Sequence, residues 1–202
     1  MNYKNIIFDV GNVLIGFRWE QMLADHGLTE EEGRRFGEDI FEDPLWKELD
    51  LENLSFDEVV ELYAEKYPQH ADNVRFFLYN SEQMSVPRPE VEEKVRLLKE
   101  KGFHIYLLSN YSSVLFEKHT QGTTFLSYID GKMMSYDVHA VKPDKMIYAC
   151  LFERFSLKPE ECLFFDDRKE NVEASRALGM DAVQVLSEKQ LLTELQKLIQ
   201  QA

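Results

Sequence analysis

Four groups of polar residues stand where buried runs of the chain end or a helix begins. Asp9 follows an apolar run at 6–8, Ser109 and Asn110 follow 105–108, Lys142 precedes Pro143, and Asp166 with Asp167 follows 162–165. A carboxylate at a strand end can attack phosphorus and form an aspartyl phosphate, which splits one hard hydrolysis into two easier steps. A lysine or a divalent cation would offset the repulsion between that carboxylate and an anionic substrate. Carboxylates, backbone carbonyls and water are the hard oxygen ligands that magnesium prefers. Taken singly, Asp9 reads as a turn residue, Ser109–Asn110 as a cap and Lys142 as a surface lysine. The adjacent acids Asp166 and Asp167 resist that ordinary reading, because they repel each other unless a cation lies between them.

Such residues need a scaffold that gathers distant strand ends. Apolar runs at 5–8, 103–108, 162–165 and 182–185 read as buried parallel strands. Helices are predicted between them at 88–101, with Pro89 in the first turn and Gly102 after the last, and at 143–155 and 169–178. A capping box of Ser187 and Gln190 opens the final helix. This alternation predicts an α/β fold, a doubly wound Rossmann-like parallel sheet whose ligand lies outside the carboxyl ends of the strands. Residues 17–83 break the rhythm with helical patterns and no convincing strand. They are expected to form a small inserted helical cap, with 1–16 and 84–202 as the core domain.

The formal charge of −14 over 202 residues excludes the basic surface that nucleic acid or anionic membrane requires. An anionic substrate must therefore be met by local positive charge. The two cysteines, Cys150 and Cys162, fall on a helix face and a buried strand start and are expected to be reduced. The opening apolar run is too short for a signal peptide or a membrane span, which makes the cytoplasm the default compartment. Monomer and homodimer both remain open.

The segments FDVGNV, LLSN, VKPD and FFDDRKEN, in that order across residues 8–171, resemble the four motifs of the haloacid dehalogenase-like hydrolase superfamily. The resemblance implies a magnesium-dependent phosphohydrolase acting on a small phosphorylated metabolite. It makes Asp9 the nucleophile and a metal ligand, with the Gly11 carbonyl and Asp167 as further ligands. Ser109 and the Asn110 amide would bind the phosphoryl oxygens, and Lys142 would offset the charge on Asp9 and the transferring group. Asp166 would support the metal shell, and Asn171 stands where the family often has a further acid.

One position departs from the pattern. The family's general acid and base usually lies two residues after the nucleophile, and here that residue is Gly11. Acid–base catalysis is typically worth about 10² to 10⁴ in rate. Either the substrate leaves without that help or draws a proton from the cap or a metal-bound water, or the chain is an impaired, phosphate-binding scaffold. The FDxGNV form resembles a subgroup that includes sugar-1-phosphate phosphatases, so a hexose 1-phosphate leads the substrate expectations. A metal-independent haloacid dehalogenase shares Asp9 and Lys142 but has no use for Asp167. A phosphomutase would need the acid missing at Gly11, and a receiver domain would carry its acid pair early in the chain. Asn12 reads as a turn residue bonded to backbone, and Trp19, Phe41 and Trp46 as core. Met133 and Met134 read as packing residues, and no histidine is assigned a role.

Overall fold

The computed structural model describes residues 3–201. Its centre is a five-stranded parallel sheet in the order β5-β4-β1-β6-β7, formed by Gly131–Met134 (β5), His104–Ser109 (β4), Asn5–Phe8 (β1), Cys162–Asp166 (β6) and Asp181–Gln184 (β7). Phe8 lies in register with Leu107 on one side and Phe165 on the other, so Asp9, Ser109 and Asp166 leave the same edge together.

The strands alternate between two cores, as a pleated strand must. Ile6, Phe8, Ile105, Leu107 and Phe165 pack with Val91, Val95 and Leu98 of α6 (Pro89–Glu100) and Leu191 and Leu195 of α11 (Glu188–Gln201). Ile7, Tyr106, Leu108 and Phe164 pack on the other face. Their partners there are Ile147, Tyr148 and Leu151 of α9 (Lys145–Phe155) and Val172 of α10 (Lys169–Ala177). Helices on both faces explain why these strands read as continuous apolar runs. Cys162 is buried at the start of β6, and both cysteines are free thiols.

Between Ile15–Phe17 (β2) and Ser85–Pro87 (β3) the chain forms α1 (Trp19–Asp25), α2 (Glu30–Phe41), α3 (Pro44–Leu51), α4 (Phe56–Lys66) and α5 (Ala71–Tyr79). Capping boxes at Thr29 with Glu32 and at Ser55 with Glu58 start α2 and α4. Asp43 caps α3 by accepting the Leu45 amide at 2.9 Å. The antiparallel β2–β3 ribbon that brackets these helices is not anticipated by the sequence. Its strands are three residues each and one contains a proline, too short for a periodic signal. The edge strand β5 also went unrecognised: Gly131-Lys132 opens it, and the methionines that follow carry no β-branched signature. Both methionines are buried, as expected of packing residues.

Candidate active site

Asp9 follows directly on β1, held by its amide to Phe165 O at 2.9 Å. The chain then folds back at once, with the amides of Val13, Leu14 and Ile15 all donating to Val10 O. Asn12 occupies the left-handed region at φ 56°, which its short polar side chain tolerates. Gly11 lies against the Phe17 ring, and a Cβ there would come within 3.1 Å of Phe17 Cε2. Arg88 clamps the turn, donating from Nη1 to Asn12 O at 2.7 Å and Val13 O at 3.0 Å.

The other motifs converge on one oxygen of Asp9. Its Oδ1 accepts the Val10 amide at 2.7 Å and Ser109 Oγ at 2.5 Å, and lies 3.0 Å from Lys142 Nζ. No described residue donates to Oδ2. Lys142 also pairs with Asp166 Oδ2 at 2.6 Å, with both side chains out of contact with solvent. Asp166 accepts Asn171 Nδ2 on both oxygens, at 3.0 and 3.1 Å, and the Arg168 amide at 2.8 Å. A charge this deep is tolerated only when paired and hydrogen-bonded in this way. The Lys142 backbone is fixed by Asn110, whose side chain donates to Lys142 O at 3.0 Å and accepts its amide at 2.7 Å. Asn12 is the turn residue expected, but its amide donates to Asp167 Oδ2 at 3.1 Å rather than to backbone.

Asp9, Asp166 and Asp167 each present an oxygen within 4.8 Å of the others. Three carboxylates thus face one ammonium. Burial raises Asp9 above the carboxylate range; Lys142 pulls it back, while the charges of Asp166 and Asp167 push it further. Burial raises Asp167 too. Lys142 is lowered by burial, but the two carboxylates beside it hold it above its ordinary value. Negative charge in excess, removed from water and presented by oxygen ligands, suits a hard divalent cation. Asn171 Oδ1 is buried without a partner, an acceptor available to a water on such an ion.

The helical insertion supplies the facing wall of a cavity of about 350 Å³, lined there by Phe17, Trp19, Phe41, Trp46, Met84 and Asp50. Phe41 meets Trp19 and Trp46 edge-on, with centroids 5.3 and 4.7 Å apart. Gly37 makes room for the Trp19 ring, since a Cβ there would lie 2.2 Å from Cζ3. Trp19, Phe41 and Trp46 pack against the core, as expected, and they also bound the cavity. Asp50 is the only acid on this wall among the described residues, and burial, then the charge of Asp9, pushes it up to about 7.

The family model for haloacid dehalogenase-like hydrolases matches residues 3–179. The chain belongs to that family. It is 28% identical to a phosphatase of Mycobacterium tuberculosis over 90% of this chain and 87% of the relative. It is 24% identical to a D-ribitol-5-phosphate phosphatase of Bacteroides thetaiotaomicron, covering 90% and 91% of the two chains. Among solved structures, a haloacid dehalogenase-like enzyme of Bacteroides thetaiotaomicron in complex with magnesium and inorganic phosphate matches with a TM-score of 0.72. Identity is 18%, covering 92% of this chain and 96% of that one.

Within this family member the residues singled out from sequence meet at one sheet edge: Asp9, Gly11, Ser109, Asn110, Lys142, Asp167 and Asn171 all line the cavity, with Asp166 buried behind Lys142. Two contributors went unnoticed. Arg88 read only as the start of a helix, and Asp50 lies in Lys47-Glu48-Leu49-Asp50, where its charge looks like any solvated helix face. Neither carries a local signal: Arg88 meets the Asn12 and Val13 carbonyls, and Asp50 reaches the cavity wall, only once segments distant in sequence are folded together.

Proposed function

We propose that the chain is a magnesium-dependent phosphohydrolase acting on a small phosphorylated metabolite through an aspartyl phosphate on Asp9. The observation that carries this reading is the asymmetry of the Asp9 carboxylate. One oxygen is fixed by a backbone amide, Ser109 and Lys142, and the other accepts from no described residue. That oxygen is free to attack. Lys142 and Ser109 neutralise charge around the transferring group, with the Asn110 amide as a further donor.

Asp9, the Gly11 carbonyl and Asp167 would hold Mg²⁺, and Asp166 would keep Lys142 and Asn171 in place behind them. When bound, the ion offsets the repulsion between nucleophile and phosphate. Three converging acids also speak against a metal-independent dehalogenase, whose attack on carbon needs no such cluster. Residues 17–83 act as the cap over a core of 1–16 and 84–202, and their aromatic wall takes the organic part of the substrate. A sugar phosphate, such as a hexose 1-phosphate, fits the size of the cavity and the names of the carbohydrate-phosphate relatives. No nucleic acid is expected as a partner of so acidic a chain. Among the described residues no helix is long and apolar enough to cross a membrane.

The test is phosphate release from a panel of sugar phosphates and an activated aryl phosphate, with and without Mg²⁺, for the native chain and Asp9→Asn. Turnover that needs both Mg²⁺ and Asp9 supports the proposal. Tight phosphate binding with no release even from the aryl ester would favour a binding scaffold instead.

A further inference from the structure

Attack on phosphorus is one task, and protonating the departing oxygen is another. The sheet edge provides for the first only. Lys142 and Asp166 are locked to each other, Asp167 is held by Asn12, and Asp9 is the proposed nucleophile. Two residues beyond Asp9 stands Gly11, which carries no proton donor, and a Cβ added there would press on the Phe17 ring at 3.1 Å.

Of the other titratable side chains on the cavity, Tyr111 is bonded through its hydroxyl to His119 Nδ1 at 2.9 Å, and burial pushes His119 down to about 4, where it holds no proton to give at neutral pH. The facing wall holds a carboxyl group. Asp50 lines the same cavity as Asp9, Ser109 and Lys142, and its carboxylate has no hydrogen bond or ion pair with any described residue. It is not one of the acids whose oxygens converge as a candidate cation site. Its position is nonetheless fixed, because the end of α3 is fastened to the core at three successive residues. Ser135 Oγ donates to Asp50 O at 2.6 Å, a His139 ring nitrogen meets Leu51 O at 2.7 Å, and the Ser113 amide donates to Glu52 Oε1 at 2.5 Å. A carboxyl group on the wall of the cavity that Asp9 also lines, itself without a hydrogen-bond partner among the described residues, is equipped to serve a ligand.

We propose that Asp50 is the proton donor and acceptor of the hydrolysis. This rests on the phosphatase reading and deepens it. In the first half-reaction an Asp9 oxygen bonds to phosphorus, the bond from phosphorus to the leaving oxygen breaks, and that oxygen takes the proton of the Asp50 carboxyl. In the second, water bonds to phosphorus and gives a proton to the Asp50 carboxylate, while the bond to Asp9 breaks and returns its electron pair to Asp9. The sum is ester plus water to alcohol plus phosphate. The burial that favours the neutral form of Asp50 agrees with its starting the cycle protonated.

The experiment compares the native chain, Asp50→Asn and Asp50→Glu, with Mg²⁺, on phosphate monoesters running from an activated aryl leaving group to a simple alkyl one. Asp50→Asn should lose about 10² to 10⁴ in kcat on alkyl esters, the usual worth of acid–base catalysis. On the aryl ester, which leaves without a proton, it should still release a burst of aryl alcohol. That burst also shows that the variant is folded. Asp50→Glu should recover part of the alkyl activity.

Loss of the aryl burst in an Asp50→Asn chain that still unfolds cooperatively, or a rise in KM alone, would overturn the role of Asp50 while leaving the phosphatase standing; the second pattern would mean that Asp50 only grips substrate hydroxyls. Absence of turnover by the native chain on every ester would overturn the phosphatase reading and this proposal with it.

Discussion

The two walls of the cavity are built on opposite principles. On the sheet side the central charges are each held more than once: Asp166 accepts four hydrogen bonds, and the Lys142 loop is tied on both its amide and its carbonyl. On the insertion side the surface is aromatic, and its single acid is unpartnered by any described residue. Strand ends in a parallel sheet are rigid anchors, suited to charges that must stay within fractions of an ångström of one geometry. Rings packed edge-on define a shape rather than a charge pattern, and that shape can change without disturbing the atoms that react. The difference between a wall of fixed charges and a wall of fixed shape predicts that chemistry and substrate choice can be altered independently.

The largest effect is expected on the sheet side. Asp9→Asn should lower kcat by about 10⁴ or more, the scale seen when a covalent nucleophile is removed, and steady-state phosphate release measures it. The fold should survive, because Asn keeps an oxygen for the Val10 amide and Ser109. Next comes Lys142→Ala, which leaves Asp166 and Asp9 buried without their cation. Removing one partner of a buried pair costs about 3–5 kcal/mol, and urea unfolding in chelator should show a loss of that order alongside lost turnover. An unchanged midpoint would mean that the insertion, not this network, carries the stability of the molecule.

The third test asks whether the acids hold a metal. Ligand at about 100 times its dissociation constant stabilises a native state by about 2.7 kcal/mol. Mg²⁺ should therefore raise the unfolding midpoint of the native chain, and Asp167→Asn should erase most of that rise. An equal rise in both proteins would place the ion elsewhere.

How much of this was legible in the sequence also divides along the two walls. The sheet wall could be read because a fully buried strand is a continuous apolar run and its polar successor must emerge at the sheet edge: Ile6-Ile7-Phe8 delivers Asp9, and Cys162-Leu163-Phe164-Phe165 delivers the acid pair. The insertion wall could not. Trp19, Phe41 and Trp46 show the helical spacing of core residues, and they do pack with core neighbours; which ring edge stays open to a cavity depends on how helices distant in sequence meet. Gly37 shows the difficulty: only the folded chain reveals that it makes room for Trp19. The hydrogen bond of Asn12 to Asp167 was hidden for the same reason, spanning two chain segments that nothing in the local sequence connects.

Smaller effects should belong to the insertion. Trp46→Ala removes a ring from the cavity wall and one edge-on partner of Phe41. A rise in KM of about tenfold is expected, equivalent to about 1.4 kcal/mol of binding, with kcat changed much less. A fall in kcat with KM unchanged would show that the aromatic wall positions the reacting phosphate, and the separation of the two walls would fail. The smallest effect sets the baseline. Ser55 opens α4 through its capping box with Glu58 and lines no part of the catalytic cavity. Ser55→Ala should cost about 1 kcal/mol of stability, as lost N-caps do, while kcat and KM stay at native values. If kcat fell as well, loosening α4 would have reached α3, against which it packs and which carries Asp50. The insertion would then govern chemistry through the placement of that one carboxyl, not shape alone.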